Sequence, residues 1–221
     1  MKILIDNEIR KAAPELEVVI VRACVCNRPT PDPLWNEIEA ASKKICDTYK
    51  IEDIRHRPAI AGTRDAYKAL GKEPNRYRPS AEALCRRIVR GLGLYRSDSV
   101  VDLINLISIE SGVSIGGFDE DRIDGDVLTL GAGRENEPYE AIGRGQLNIA
   151  GMPVFRDSSG GIGTPTSDND RTKLSPSTRR LLMTINIYRP GELTAEQITA
   201  LTTRLLQTYA DATDIETFSV R

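Results

Sequence analysis

The sequence predicts an α+β protein, and three observations predict it. Apolar, β-branched runs lie near both ends of the 221-residue chain, at Glu17–Val25 and Arg180–Tyr188. Helical periodicity occupies the part between Leu34 and Ser111. A glycine-rich section, Gly112–Gly163, then carries 12 of the 17 glycines, a density that marks turns and close backbone approach. No regular βαβ alternation appears, so a mixed sheet arrangement is expected rather than a doubly wound one.

Taken in order, Ile3–Ile5 and ELEVVIVRACV read as strands. Prolines at 29, 31 and 33 break the chain before a helix over Leu34–Tyr49, where Leu34, Ile38, Ala41 and Ile45 fall on one face. Thr63 is a candidate cap for a helix to Leu70, stopped by Gly71, and Pro79-Ser80 opens another over Ala81–Arg90. Asp98 or Ser99 starts Val100–Ser111, whose apolar residues wrap so widely that the helix must be well buried, and Gly112 ends it. Short strands fit at 127–130, 146–150 and 153–155. The run DSSGGIGTPTSDNDRT at 157–172 reads as a long polar loop, a kind often functional. Arg180–Tyr188 is a strong strand, Thr194 caps a helix to Asp211, and Ile215–Val220 is a last strand.

Composition limits function. Thirty Lys and Arg against 32 Asp and Glu give a net charge of −2, which excludes a generally basic nucleic-acid binder but leaves room for a local basic face. Such a face is offered by Arg64–Arg96, with nine basic and three acidic residues; Glu110–Glu140 has nine acidic and two basic. Either the two segments pair with each other as solvated faces, or the basic one, with Tyr67, Tyr77 and Tyr95 nearby, contacts phosphates through Arg64, Lys68, Arg76, Arg78 and Arg86. Cys24, Cys26, Cys46 and Cys85 form no CxxC pair and only one histidine, His56, is present, so no metal site is expected and Cys24 and Cys26 read as small core residues. No signal peptide or membrane span is visible, and the expectation is a reduced, cytoplasmic protein. No GxxxxGK[ST] loop, GxGxxG turn or GxSxG elbow occurs, so no cofactor is expected.

One resemblance covers the middle of the chain. VVDLINLISIESG at 100–112 resembles the phenylalanyl-tRNA synthetase beta-subunit stretch VVDxTNYxxxExG. It is followed by Gly116-Gly117-Phe118-Asp119-Glu120-Asp121-Arg122-Ile123, similar to a Phe-Asp-x-Asp-x-Ile element, and by Thr172-x-Leu174 and Thr178–Met183. The segment at 57–87 resembles the free-standing group of the same B3/4 family. The resemblance implies one B3/4-like domain over residues 1–221, clearest over 57–188, with mixed sheets, four to five helices, and terminal segments 1–25 and 180–221 packed together. In the synthetase this domain binds tRNA and hydrolyses tyrosine wrongly attached to it. The family's helix Asn falls on Asn105 and its Phe-Asp on Phe118-Asp119. Its editing His falls on Gly116, where this chain has none, and its editing Glu falls on Asp170.

Hydrolysis of an aminoacyl ester needs a positioned water, donors for the oxyanion and a grip on the amino acid. Asp170 is the candidate catalytic carboxylate. Asn105, Gly116, Gly117, Asp119, Ser158, Ser159 and Thr172 are candidates for substrate binding, in a pocket between the Asn105 helix and the 157–172 loop. The serines have no partner His and do not read as nucleophiles. Three readings stay open: a hydrolase acting in trans on mischarged aminoacyl-tRNA, a non-catalytic binder of tRNA or of a free amino acid, and a relationship by descent only. DNA and membranes are not expected partners. Aminoacylation is excluded because the chain shows no trace of an ATP-binding catalytic core.

Overall fold

A computed structural model describes all residues, 1–221. Two four-stranded sheets and a layer of helices stack in order. The helix-bearing sheet runs β10 (Thr213–Val220), β2 (Glu17–Cys24), β9 (Arg180–Ile187), β3 (Ile115–Asp119), all antiparallel. The second sheet runs β1 (Lys2–Ile5), β4 (Val127–Ala132), β7 (Pro153–Asp157), β8 (Gly160–Gly163), with β1 and β4 parallel. A two-stranded ribbon, β5 (Glu140–Ala141) and β6 (Gly145–Gln146), lies apart.

The alternation of β2 and β9 explains the layering. Val19, Val21, Met183 and Ile185 point to one face and join the helices in a core of 31 buried residues. Val18, Ile20 and Leu182 point to the other and meet Leu128, Leu130, Phe155 and Ile162 of the second sheet. Strands buried on both faces read as continuous apolar runs, which is why these two were so visible.

Six α-helices form, not four or five: α1 (Asn7–Ala12), α2 (Asp32–Thr48), α3 (Pro58–Ala69), α4 (Ser80–Val89), α5 (Ser99–Ser111) and α6 (Ala195–Tyr209). The extra one, α1, has six residues, too few to show a period. α2 buries the expected Leu34, Ile38, Ala41 and Ile45. α5 buries ten of its 13 residues, capped by Asp98, which accepts from Val101 N (2.9 Å), and ended by Gly112 at φ +74°. α6 carries the Thr194–Gln197 capping box.

Other expectations change. Thr63 caps nothing; it sits inside α3, where its hydroxyl donates to Ala59 O, because Pro58 already supplies the first turn. The strand expected at 146–150 shrinks to Gln146: Lys72 Nζ donates to Asn148 O (2.7 Å) and Ala150 O (2.9 Å), taking carbonyls a strand neighbour would need. The long loop is mostly ordered, and β8 lies within it. Asp157 Oδ1 accepts from Ser159 N and Gly160 N, and Thr164 Oγ1 accepts from Thr166 N and Ser167 N. Cys24 and Cys26 are exposed rather than core, because Ala23 and Val25 take the inward positions of that strand end. The acidic and basic segments do not pair with each other: Glu120 binds Arg22 and Arg180, Glu137 binds Arg156, and Glu82 binds Arg64. No helix is long and apolar enough to cross a membrane.

Candidate functional site

A cavity of about 500 Å³ opens between α5 and the segment after β8. α5 lines it with Val101 and Asn105, both partly exposed, and with the buried Ser108. β3 contributes Gly117, and the post-β8 segment contributes Thr164, Thr166, Ser167 and Asp168. Ile104, Ile115 and Leu174 give the cavity apolar walls. The mixture suits a small amphiphilic group held by a few directed polar contacts.

Asp168 is the chemically distinctive group. It reaches the open edge of β3, where Gly117 N donates to its Oδ2 (3.1 Å). Part of the residue meets the cavity, but protein packed around the carboxyl pushes its pKa up to about 7, against the single opposing hydrogen bond from Gly117. A carboxyl that exchanges its proton near neutrality is suited to general acid–base work. Asn105 makes no side-chain hydrogen bond within the protein and is free to bind a ligand.

Sequence-predicted residues scatter around this geometry. Asn105 and Gly117 line the cavity. Asp170 does not. It begins a short 3-10 turn (Asp170–Thr172), half exposed, and pairs with Lys173 (2.8 Å). The carboxyl at the wall is Asp168, which lines the cavity where Asp170 does not. Thr172 is fully buried and its Oγ1 has no partner. Asp119 is buried, accepting from Thr178 Oγ1 (2.9 Å) and Asp121 N (3.2 Å), which anchors the turn after β3. Ser158 and Ser159 form the exposed tip of the β7–β8 hairpin, with Ser158 Oγ donating to Asp124 O.

Gly116 faces away from the cavity, into the space between the sheets. A Cβ there would stand 2.6 Å from Phe118 Cζ and 2.7 Å from Thr184 Oγ1. The Phe118 ring also fills the room beside Gly163, where a Cβ would lie 2.5 Å away. Gly116→His, which restores the residue of the synthetase pattern, should therefore destabilise the fold by about 1–3 kcal/mol through overpacking. Thermal unfolding checks this; an unchanged midpoint would show that the ring yields freely.

A second feature adjoins the cavity. Arg76, Arg78, Arg86, Arg87, Arg90 and Arg144 line a cleft of about 230 Å³. Burial lowers the Arg86 pKa, as do Arg78, Arg90 and Arg64 nearby, the mark of crowded like charge. Arg144 lines both cleft and cavity and has no acidic partner. Of the predicted phosphate contacts, Arg76, Arg78 and Arg86 lie here. Arg64 does not: it is buried and bound to Glu82 (2.8 Å) and Asn75. Lys68 is exposed on α3, paired with Asp65, outside the cleft. Tyr67 is buried, its hydroxyl 2.8 Å from Thr166 Oγ1. The sequence reading left out Asp168 and Arg144. Asp168 carried no signal beyond its place in a polar run. Arg144 lies 54 positions from Arg90 and joins the cluster only through the fold.

The family model described as the B3/4 domain matches residues 62–210. Among curated proteins nothing matches. Among solved structures, the chain is similar to an N-terminal fragment of the phenylalanyl-tRNA synthetase beta-subunit from Pyrococcus horikoshii, at 13% identity and a TM-score of 0.48. That match covers 99% of this chain and 53% of the fragment, so the chain spans about half its length. With a match that runs from within α3 to the end of α6, across every residue lining the cavity and the cleft, this chain belongs to the B3/4 domain family.

Proposed function

We propose that the protein binds the acceptor end of an aminoacyl-tRNA and hydrolyses its ester in trans. The observation that carries this reading is Arg144, shared by a six-arginine cleft and a polar cavity. The cleft suits backbone phosphates, which need placed guanidinium groups and not a basic protein overall. The cavity suits the amino acid. Asp168 in its ionised form takes a proton from water as the water attacks the ester carbonyl. Arg144 is the cation available to the developing oxyanion. When the carbonyl–oxygen bond breaks, Asp168 returns the proton to the departing ribose oxygen. The products are a free amino acid and uncharged tRNA, with no cofactor consumed. Asn105 orients the amino acid from the face of α5.

Deacylation of a panel of correctly charged and mischarged tRNAs tests this. One class of ester should be lost with wild type. Arg90→Ala and Arg144→Ala should each weaken tRNA binding and each lower the salt slope of log K by about 1. A second reading, a binder without catalysis, is favoured by Gly116 standing where the family pattern has a histidine. No turnover of any ester, with salt-sensitive tRNA binding retained, would establish that reading.

A further inference from the structure

The loop between α4 and α5 carries the two most exposed large hydrophobic side chains of the protein, Leu92 at 58% and Tyr95 at 74%. An exposed tyrosine alone is ordinary. This one is held from beneath: the Arg87 guanidinium carbon lies 4.0 Å from the centre of the Tyr95 ring. Arg87 Nη2 donates to Leu92 O (3.4 Å) in the same loop, while its buried Nε has no partner. The same Arg87 lines the arginine cleft. Two and three residues after Tyr95, Ser97 and Asp98 line the cavity. The ring therefore stands between the groups suited to phosphate and the space suited to an amino acid, one face on a guanidinium and the other open.

We propose that Tyr95, stacked on Arg87, is a platform for an unpaired base of the bound RNA, next to the nucleotide whose ester enters the cavity. The proposal rests on the aminoacyl-tRNA reading and adds to it how the protein separates single-stranded from duplex ends. Every base has a π-face, so an aromatic platform accepts any of the four. A base already paired and stacked within a duplex has no face to offer. Stacking of this kind costs about fivefold to a hundredfold in affinity when the aromatic is removed.

The experiment uses a hairpin RNA with a four-nucleotide single-stranded 3′ end carrying 2-aminopurine at its penultimate position, beside the terminal nucleotide that would bear the ester, and the same hairpin with a blunt end. Wild type should bind the overhang more tightly and quench the 2-aminopurine. Tyr95→Ala should lose the quench and about tenfold in affinity for the overhang, while its binding to the blunt hairpin and its salt slope stay as in wild type. Tyr95→Phe should restore both. Arg90→Ala is the contrasting variant: it should weaken both hairpins and keep the quench. If Tyr95→Ala binds the overhang and quenches like wild type, or weakens both hairpins equally, the platform is refuted while the RNA reading stands. If wild type binds neither hairpin, the RNA reading falls and the platform with it.

Discussion

Asp168→Asn should abolish ester hydrolysis, with a loss of about 10²–10⁴ in rate, the usual yield of a positioned acid–base group. The wild-type rate should rise with pH through about 7, as the carboxyl ionises. Asp170→Ala should keep the activity, since that side chain is half exposed and bound to Lys173. The same substitution tests the carboxyl through stability. Burial raises the pKa of Asp168 from its ordinary value of 3.8, so the folded state holds a proton that the unfolded chain has already released. Stability from this group is fully present at acid pH and is lost as pH rises through about 7. Asp168→Asn removes that dependence. The variant should exceed wild type at pH 8 by between about 2 and 4 kcal/mol and converge on it near pH 4, as urea unfolding at the two pH values would show. A variant that keeps full activity and shows no gain at alkaline pH would mean that Asp168 is a solvated acid. Loss of activity in Asp170→Ala alone would move the catalytic role to Asp170.

Glu82→Ala should cost about 3–5 kcal/mol, the penalty for stranding a buried charge. Glu82 is 1% exposed and ties Arg64 of α3 to α4 at 2.8 Å. Arg64 also donates to Asn75 Oδ1, so removing the carboxylate leaves a guanidinium that cannot leave its site. For a chain of this size the thermal midpoint should fall by about 10 °C. Arg78→Ala is the internal control. Arg78 stands 3.9 Å from the same carboxylate and is half exposed, so its loss should cost under about 1 kcal/mol. Equal losses from the two variants would contradict the buried pair. The pair matters to function because Glu82 is the acidic side chain beneath the arginine cleft, and it holds the α4 backbone that presents Arg86, Arg87 and Arg90.

Much of the local structure was legible in the sequence because its causes are local. The i, i+4 spacing of Leu34 and Ile38, Asp98 before α5, Gly112 after it and the Thr194–Gln197 box each act within one or two helical turns. The apolar wrap of α5 foretold its burial, and the family resemblance pointed to Asn105 on it. β3 and β8 were missed because their glycines carry no periodic side-chain signal; pairing with β9 and β7 makes them strands.

The site divides in the same way. Sequence alone determined that a carboxylate-bearing polar run follows a glycine-rich section, that basic residues gather near α4, and that the chain has the B3/4 pattern without its histidine. Only the tertiary structure decided which members are available. Asp168 and Asp170 are two positions apart, yet one meets Gly117, 51 positions away, and the other meets Lys173 in its own turn. Arg64 and Arg86 look alike in the sequence, yet one is buried against Glu82 while the other lines the cleft. Pairing and burial depend on neighbours that folding brings together, and a charged side chain can serve a ligand only where those neighbours leave it facing the cavity or the cleft.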